Sequence, residues 1–118
     1  MASVTKEITI SAAPEAIWRV IADFADAPVR MAPGFIVDSR LDGPDVREVT
    51  FDGGFVARER LVTHDETRRR MVFTVFGGTV EPLHDNASIQ VLSTADGGGR
   101  VVWTHDVLPG WPTNGART

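Results

Sequence analysis

From Phe35 to Val107 the chain runs through six short stretches that alternate apolar and polar residues, and every break between them is turn chemistry. The stretches are FIVDSRL, VREVTF, FVARERLVT, RMVFTVF, ASIQVLS and RVVWTHDV, separated by DGPD, DGG, HDET, GGTVEPLHD and TADGGG. Period-two alternation bounded by Gly, Asp, Asn and Pro predicts antiparallel strands joined by hairpins. A sheet that long curls, and its concave side needs something to fill it.

The residues before this run set the fold class. VTKEITI alternates with Val4, Lys6, Ile8 and Ile10 on one face, which predicts a first strand. SAAPEAIWRVIADF predicts a helix: Pro14 suits the first helical position, Glu15 suits the positive end of the dipole, and Ile17, Val20, Ile21 and Phe24 share one face. Pro28, Pro33 and Gly34 then allow only a short helical turn and a loop. Strand, helix and a run of antiparallel strands is an α+β order.

Composition narrows the partners. A chain of 118 residues is one domain with a single core. A formal charge of −4 offers no basic footprint for nucleic acid or an anionic membrane. The absence of cysteine excludes disulfides and thiolate metal sites. The N-terminal region lacks an apolar run long enough for a signal peptide or a membrane span, so a cytoplasmic location is expected. His64, His84 and His105 share no ligand spacing, and Gly97–Gly99 leads into a strand rather than a helix. Neither a metal nor a phosphate-bearing cofactor is expected. His64 and His84 fall in predicted turns and are read as solvated, as is the Arg68-Arg69-Arg70 run at a hairpin end. No nucleophile sits beside a base in a recognisable catalytic arrangement.

Register can be solved for the hairpin VREVTF-DGG-FVARER. A three-residue loop over 52–54 pairs Phe51 with Phe55, Val49 with Ala57 and Arg47 with Glu59, whereas a two-residue loop would set Arg47 against an arginine. Charge and apolar matching both select the three-residue loop, which turns Arg58 and Arg60 to solvent and Arg47 and Glu59 inward. The next hairpin, turning at 65–67, sets Leu61 near Met71 and Glu59 near Phe73. The last pairs Val91 with Val101, Ile89 with Trp103 and Ala87 with His105. The expected inward groups are Phe35, Val37, Arg47, Val49, Phe51, Glu59, Leu61, Phe73, Val75, Ile89, Trp103 and His105. That is an apolar hollow with three polar groups converging in it, the composition of a small-molecule site. A structural ion pair is an equally good reading of Arg47 and Glu59, and a satisfied wall histidine opposite Ala87 is the plainer reading of His105.

Taken together, ITISAAPEAIWRVIADF, MAPGF, the spacing Arg47…Gly53…Glu59-Arg60-Leu61, DETRRRMVFTV and GGGRVVW resemble the START-like, or SRPBCC, superfamily in its polyketide cyclase/dehydrase-like branch. The resemblance spans residues 3 to about 109. It implies a helix-grip fold, in which a curved antiparallel sheet wraps a long C-terminal helix and encloses an apolar cavity. It also places Arg47, Glu59 and Trp103 at recurrent inward positions of the family. Relatives continue after WTHDVLP into the gripped helix, but here the chain reads GWPTNGART, and Pro109 and Pro112 break any helix. A domain over 1–109 with an irregular tail over 110–118 is expected, without the long C-terminal helix. An uncovered apolar sheet face then predicts self-association, a homo-oligomer in which a partner subunit or Trp111 covers the hollow.

Three functions follow as expectations. The first is binding of a hydrophobic small molecule (lipid, polyketide or aromatic) by Phe35, Val49, Phe51, Leu61, Phe73, Val75, Ile89 and Trp103. The second is a cyclase or dehydratase with His105 or Glu59 as acid/base and Arg47 orienting a carbonyl. Burial would raise the Glu59 carboxyl while Arg47 pulls the other way, so His105 is the better base. The third is a protein-interaction module, which the polar convex side (Glu48, Thr50, Arg58, Arg60, Ser88, Gln90) disfavours.

Overall fold

The computed structural model describes residues 2–108 and 111–112. In chain order the elements are β1 (Ala2–Ile10), α1 (Pro14–Ala22), α2 (Ala27–Met31), β2 (Ile36–Leu41), β3 (Val46–Phe51), β4 (Val56–Asp65), β5 (Arg70–Gly78), β6 (Val80–Glu81), β7 (His84–Ser93), β8 (Gly99–Leu108) and β9 (Trp111–Pro112). Seven strands form one antiparallel sheet in the order β1-β8-β7-β5-β4-β3-β2, and the two-residue strands β6 and β9 pair separately. The α+β order is the expected one.

α1 starts at Pro14, which needs no backbone N–H there, and carries Glu15 in its first turn. Ile17, Trp18 and Ile21 from α1, with Phe24 just beyond it, pack on Met71, Phe73, Ala87, Ile89, Val91 and Val101 of β5, β7 and β8. This core covers one end of the concave face. Val20, placed on the buried stripe by its spacing, is only partly covered and borders the open part of the face.

Three irregularities bend the sheet. One bulge lies between Ile36 and Asp38 in β2, one in β4 between Leu61 and Thr63, and one in β5, where Phe76 is the extra residue opposite the Arg58–Glu59 step. An extra residue locally increases twist and flips the side chains beyond it. The β2 bulge therefore changes the expected alternation: Ile36 joins Phe35 on the concave side, and Val37 is 55% exposed instead of facing inward.

The β3–β4 hairpin adopts the three-residue register, with Arg47 opposite Glu59 and Val49 opposite Ala57, and the Phe51 N–H donates to the Phe55 carbonyl at 2.8 Å. The β7–β8 hairpin pairs Ala87 with His105, Ile89 with Trp103 and Val91 with Val101. The β4–β5 hairpin differs: Leu61 lies opposite Phe73 and Glu59 opposite Val75. Its turn is longer than expected, with Asp65 pairing Arg70 and Arg69 adopting φ 48°, and the bulge after Leu61 absorbs part of the offset. At Glu59 and Leu61 the net slip is two residues, so these side chains keep their expected face, whereas beyond the bulge the pairing shifts by one more and His64 lies opposite the inward Met71.

The long separator GGTVEPLHD is not simply a loop. β5 runs on through Gly78, Val80–Glu81 forms β6, and β7 begins at His84. Within the stretch 110–118, the backbone of Trp111–Pro112 pairs with β6. Pro112 lacks an N–H, which keeps such a pairing short. The Trp111 side chain and the remainder of the tail lie outside the described residues.

Candidate functional site

The concave face holds a hollow of about 1130 Å³, open on one side. Its wall is built by alternate residues of successive strands, because only every second side chain of a strand reaches one face. Ile8 and Ile10 come from β1, Val49 and Phe51 from β3, Phe73 and Val75 from β5, Ile89 from β7, and Val101 and Trp103 from β8. Phe35, Phe51 and Phe55 make an aromatic end where β2, β3 and β4 meet, stacked edge to face with ring centroids 5.5 and 5.6 Å apart. Phe35 and Trp103 are 65% and 41% exposed, so the apolar wall continues to the rim. Leu61, placed in the wall from its register, is instead half-buried against the core cluster beneath α1 and does not border the hollow.

Arg47 and Glu59 face the hollow from its floor. The Arg47 Nε donates to Glu59 Oε1 at 2.7 Å and its Nη1 donates to the Phe24 carbonyl at 3.0 Å. The guanidinium lies between the rings of Phe24 and Phe73, 4.2 and 4.7 Å from their centroids. Stacking and hydrogen bonds together offset the cost of taking this cation out of water. Burial pulls the Arg47 guanidinium below its ordinary range, and Glu59 works against that pull by favouring the charged form.

A second pair stands at the β8 end. His105 Nε2 lies 2.7 Å from Asp85 Oδ1, and both residues border the hollow. The Asp85 side chain is 13% exposed and that of His105 is 43% exposed. Thr74 Oγ1 donates to the Asp85 carbonyl at 2.5 Å, which ties the start of β7 to β5. Against an ionised carboxylate Nε2 must carry the proton, so a neutral His105 ring keeps Nδ1 as an acceptor. Lys6 of β1, opposite Trp103 in register, borders the same end.

Sequence reasoning missed Asp85 and Lys6. Asp85 lies in the separator GGTVEPLHD, which reads as a loop; the signal that finds it is its spacing of two and four residues from the inward Ala87 and Ile89. Lys6 was placed on a face with Ile8 and Ile10, but a lysine there reads as an edge-strand charge. The convex side carries Arg58 and Arg60, both over the Phe76 ring at 5.1 and 4.6 Å, with Arg58 also bonded to Asp42 at 2.5 Å. His64 lies in β4 rather than in a turn. Its Nε2 is 2.6 Å from Glu66 Oε1, and its ring stands edge-on to Trp18, whose Nε1 donates to Glu66 at 3.0 Å. Among the described residues no group of three or more His, Asp and Glu side chains could hold a metal ion, and no helix is long and apolar enough to cross a membrane.

A curled antiparallel sheet with a helix over one end of its concave face, enclosing an apolar hollow, defines a START-like domain of helix-grip architecture. The chain belongs to the polyketide cyclase / dehydrase and lipid transport family, whose sequence model matches residues 1–118. Solved structures share the fold. XoxI of Bacillus cereus superposes with a TM-score of 0.82 at 23% identity, over 92% of this chain and 77% of its own. A Thermobifida fusca protein gives 0.75 at 27% identity, over 92% and 75%. A START superfamily protein from Mycobacterium smegmatis gives 0.77 at 14% identity, over 94% and 79%. No curated protein matches the chain.

Proposed function

We propose that the protein binds a hydrophobic small molecule, a lipid, polyketide or aromatic compound, in the hollow on the concave face of its sheet. The observation that carries this reading is the hollow itself: about 1130 Å³ lined mainly by aliphatic and aromatic side chains, with charged groups confined to a few positions. A cavity of that size and composition suits a ligand that is mostly apolar and oriented by one or two polar contacts. Phe35, Val49, Phe51, Phe73, Val75, Ile89 and Trp103 supply the apolar contacts. The experiment is native mass spectrometry of freshly purified protein. A co-purified apolar molecule, released on denaturation, supports the reading; protein that is empty and takes up no apolar probe contradicts it.

The family also supports a second reading, acid–base catalysis of the cyclase or dehydratase kind. What favours it is the His105 imidazole held on Asp85 at the wall of the hollow. Glu59 is the weaker base, being engaged by Arg47, and Arg47 already has two partners of its own. Replacing His105 by Ala and Glu59 by Gln separates the readings: a binder loses no more than about tenfold in ligand affinity, the order of one hydrogen bond, whereas an enzyme loses turnover by about two orders of magnitude or more.

The exposed apolar rim (Ile8, Ile10, Phe35, Phe55 and Trp103) supports self-association, with a second copy of the chain covering the open side. Light scattering tests it: a dimer mass is expected, and a monomer at micromolar concentration contradicts it.

A further inference from the structure

The two polar pairs of the hollow are chemically unequal. Arg47 is stacked between two rings and bonded to both Glu59 and a backbone carbonyl, and both members of the pair are almost wholly buried. A ligand that replaced Glu59 on Arg47 would leave a buried carboxylate without its cation. The His105–Asp85 pair is built the other way. Asp85 is largely covered and fixes one ring nitrogen, while the ring itself is partly open to the hollow. The β8 and β4 strands are three positions apart in the sheet, a span of roughly 14 Å at ordinary strand spacing. The phenylalanine cluster occupies the far end, beyond β4.

Resting on the reading of the hollow as a small-molecule site, we propose that His105 and Asp85 are its recognition group for a hydroxyl. The ligand is an apolar, aromatic-bodied molecule bearing one weakly acidic O–H, a phenol or an enol. Its rings lie toward Phe51 and Phe73, and its hydroxyl donates to His105 Nδ1. Asp85 enforces this polarity. With the carboxylate taking the Nε2 proton, the neutral form of the imidazole offers the hollow an acceptor at Nδ1 rather than a donor. A hydroxyl satisfies that acceptor, whereas an ether or ketone of the same shape leaves it unpaired in an apolar wall. Lys6 at the same end favours the partial negative charge that such a hydroxyl carries.

The test compares three bicyclic probes by fluorescence titration: 2-naphthol, 2-methoxynaphthalene, which keeps the oxygen but cannot donate, and 2-naphthoate. The ratio of naphthol to methoxynaphthalene affinity should fall by about tenfold on His105→Phe, the order of one hydrogen bond to a partly buried acceptor. Methoxynaphthalene affinity should not fall, and should rise if anything because the unpaired acceptor is gone, which reports that the hollow is intact. Asp85→Asn should lower the ratio in the same direction, because the amide can also donate and frees the ring to adopt the other tautomer. This second variant keeps the side-chain volume and decides the matter if His105→Phe fails to fold. An unchanged ratio in either folded variant overturns the assignment while leaving the hollow as a binding site. So does tightest binding of naphthoate with dependence on Lys6, since the end would then be an anion site. Failure of the wild-type protein to bind any probe overturns the small-molecule reading, and the hydroxyl assignment with it.

Discussion

Arg47 and Glu59 face each other across the β3–β4 hairpin on the apolar side of the sheet, 2.7 Å apart and only 5% and 9% exposed. Removing one member leaves a buried charge without its counterion, whereas removing both removes the desolvation cost as well. Glu59→Ala or Arg47→Ala alone should each cost about 3–5 kcal/mol of stability in urea denaturation. The double variant Arg47→Met/Glu59→Leu should cost far less than the sum. Additive losses would mean that the two side chains are not coupled.

Met71 lies at the centre of the core, 1% exposed beneath α1. Truncation to Ala should cost about 2–5 kcal/mol, the transfer term plus the cavity left behind. Thermal and denaturant unfolding should agree on the direction. A loss below 1 kcal/mol would indicate that the neighbouring side chains collapse into the space.

Gly78 ends β5 with φ +113°, and a Cβ there would run into the backbone of Val56 on the neighbouring strand. Gly78→Ala should therefore destabilise the fold by more than about 1 kcal/mol, because both the conformation and the space exclude a side chain. Gly53→Ala is the control. It too has positive φ, but its Cβ would meet no atom within 4 Å, so it should cost less.

Acid should weaken the attachment of the β4–β5 turn to α1. The Glu66 carboxyl is held below the ordinary carboxylate range by hydrogen bonds from His64 and Trp18, and that of Asp65 by the backbone N–H of Arg68. A depressed pKa in the folded state contributes stability above the unfolded value and loses it as the pH falls through the folded one. Stability measured at pH 7 and again below pH 4 should fall less in Glu66→Gln than in the wild type. An equal fall in both would exclude Glu66 from the acid response.

Local pattern and register were enough to read most of the fold, because alternating strands joined by tight turns leave few pairings. The Arg47–Glu59 couple was legible for a specific reason: its hairpin has one loop length that avoids opposing arginines. Val37 was not legible, since a bulge is set by tertiary strain rather than by any local residue signal. Leu61 faced the expected way but lay under the α1 core cluster, a consequence of helix placement that strand periodicity does not carry. Asp85 was hidden by composition. Gly, Pro and Asp in GGTVEPLHD read as a loop, yet β7 begins within it and turns Asp85 toward His105. Only the fold brings the two side chains together.

Heteronuclear NMR with a titrated apolar probe such as naphthalene asks most directly whether the concave hollow is the binding site. The predicted result is saturable shift changes concentrated at Val49, Phe73, Ala87, Ile89 and Trp103, with little change at Glu48, Arg60 or Gln90. Shifts confined to that convex set, or none at millimolar probe, would contradict the account.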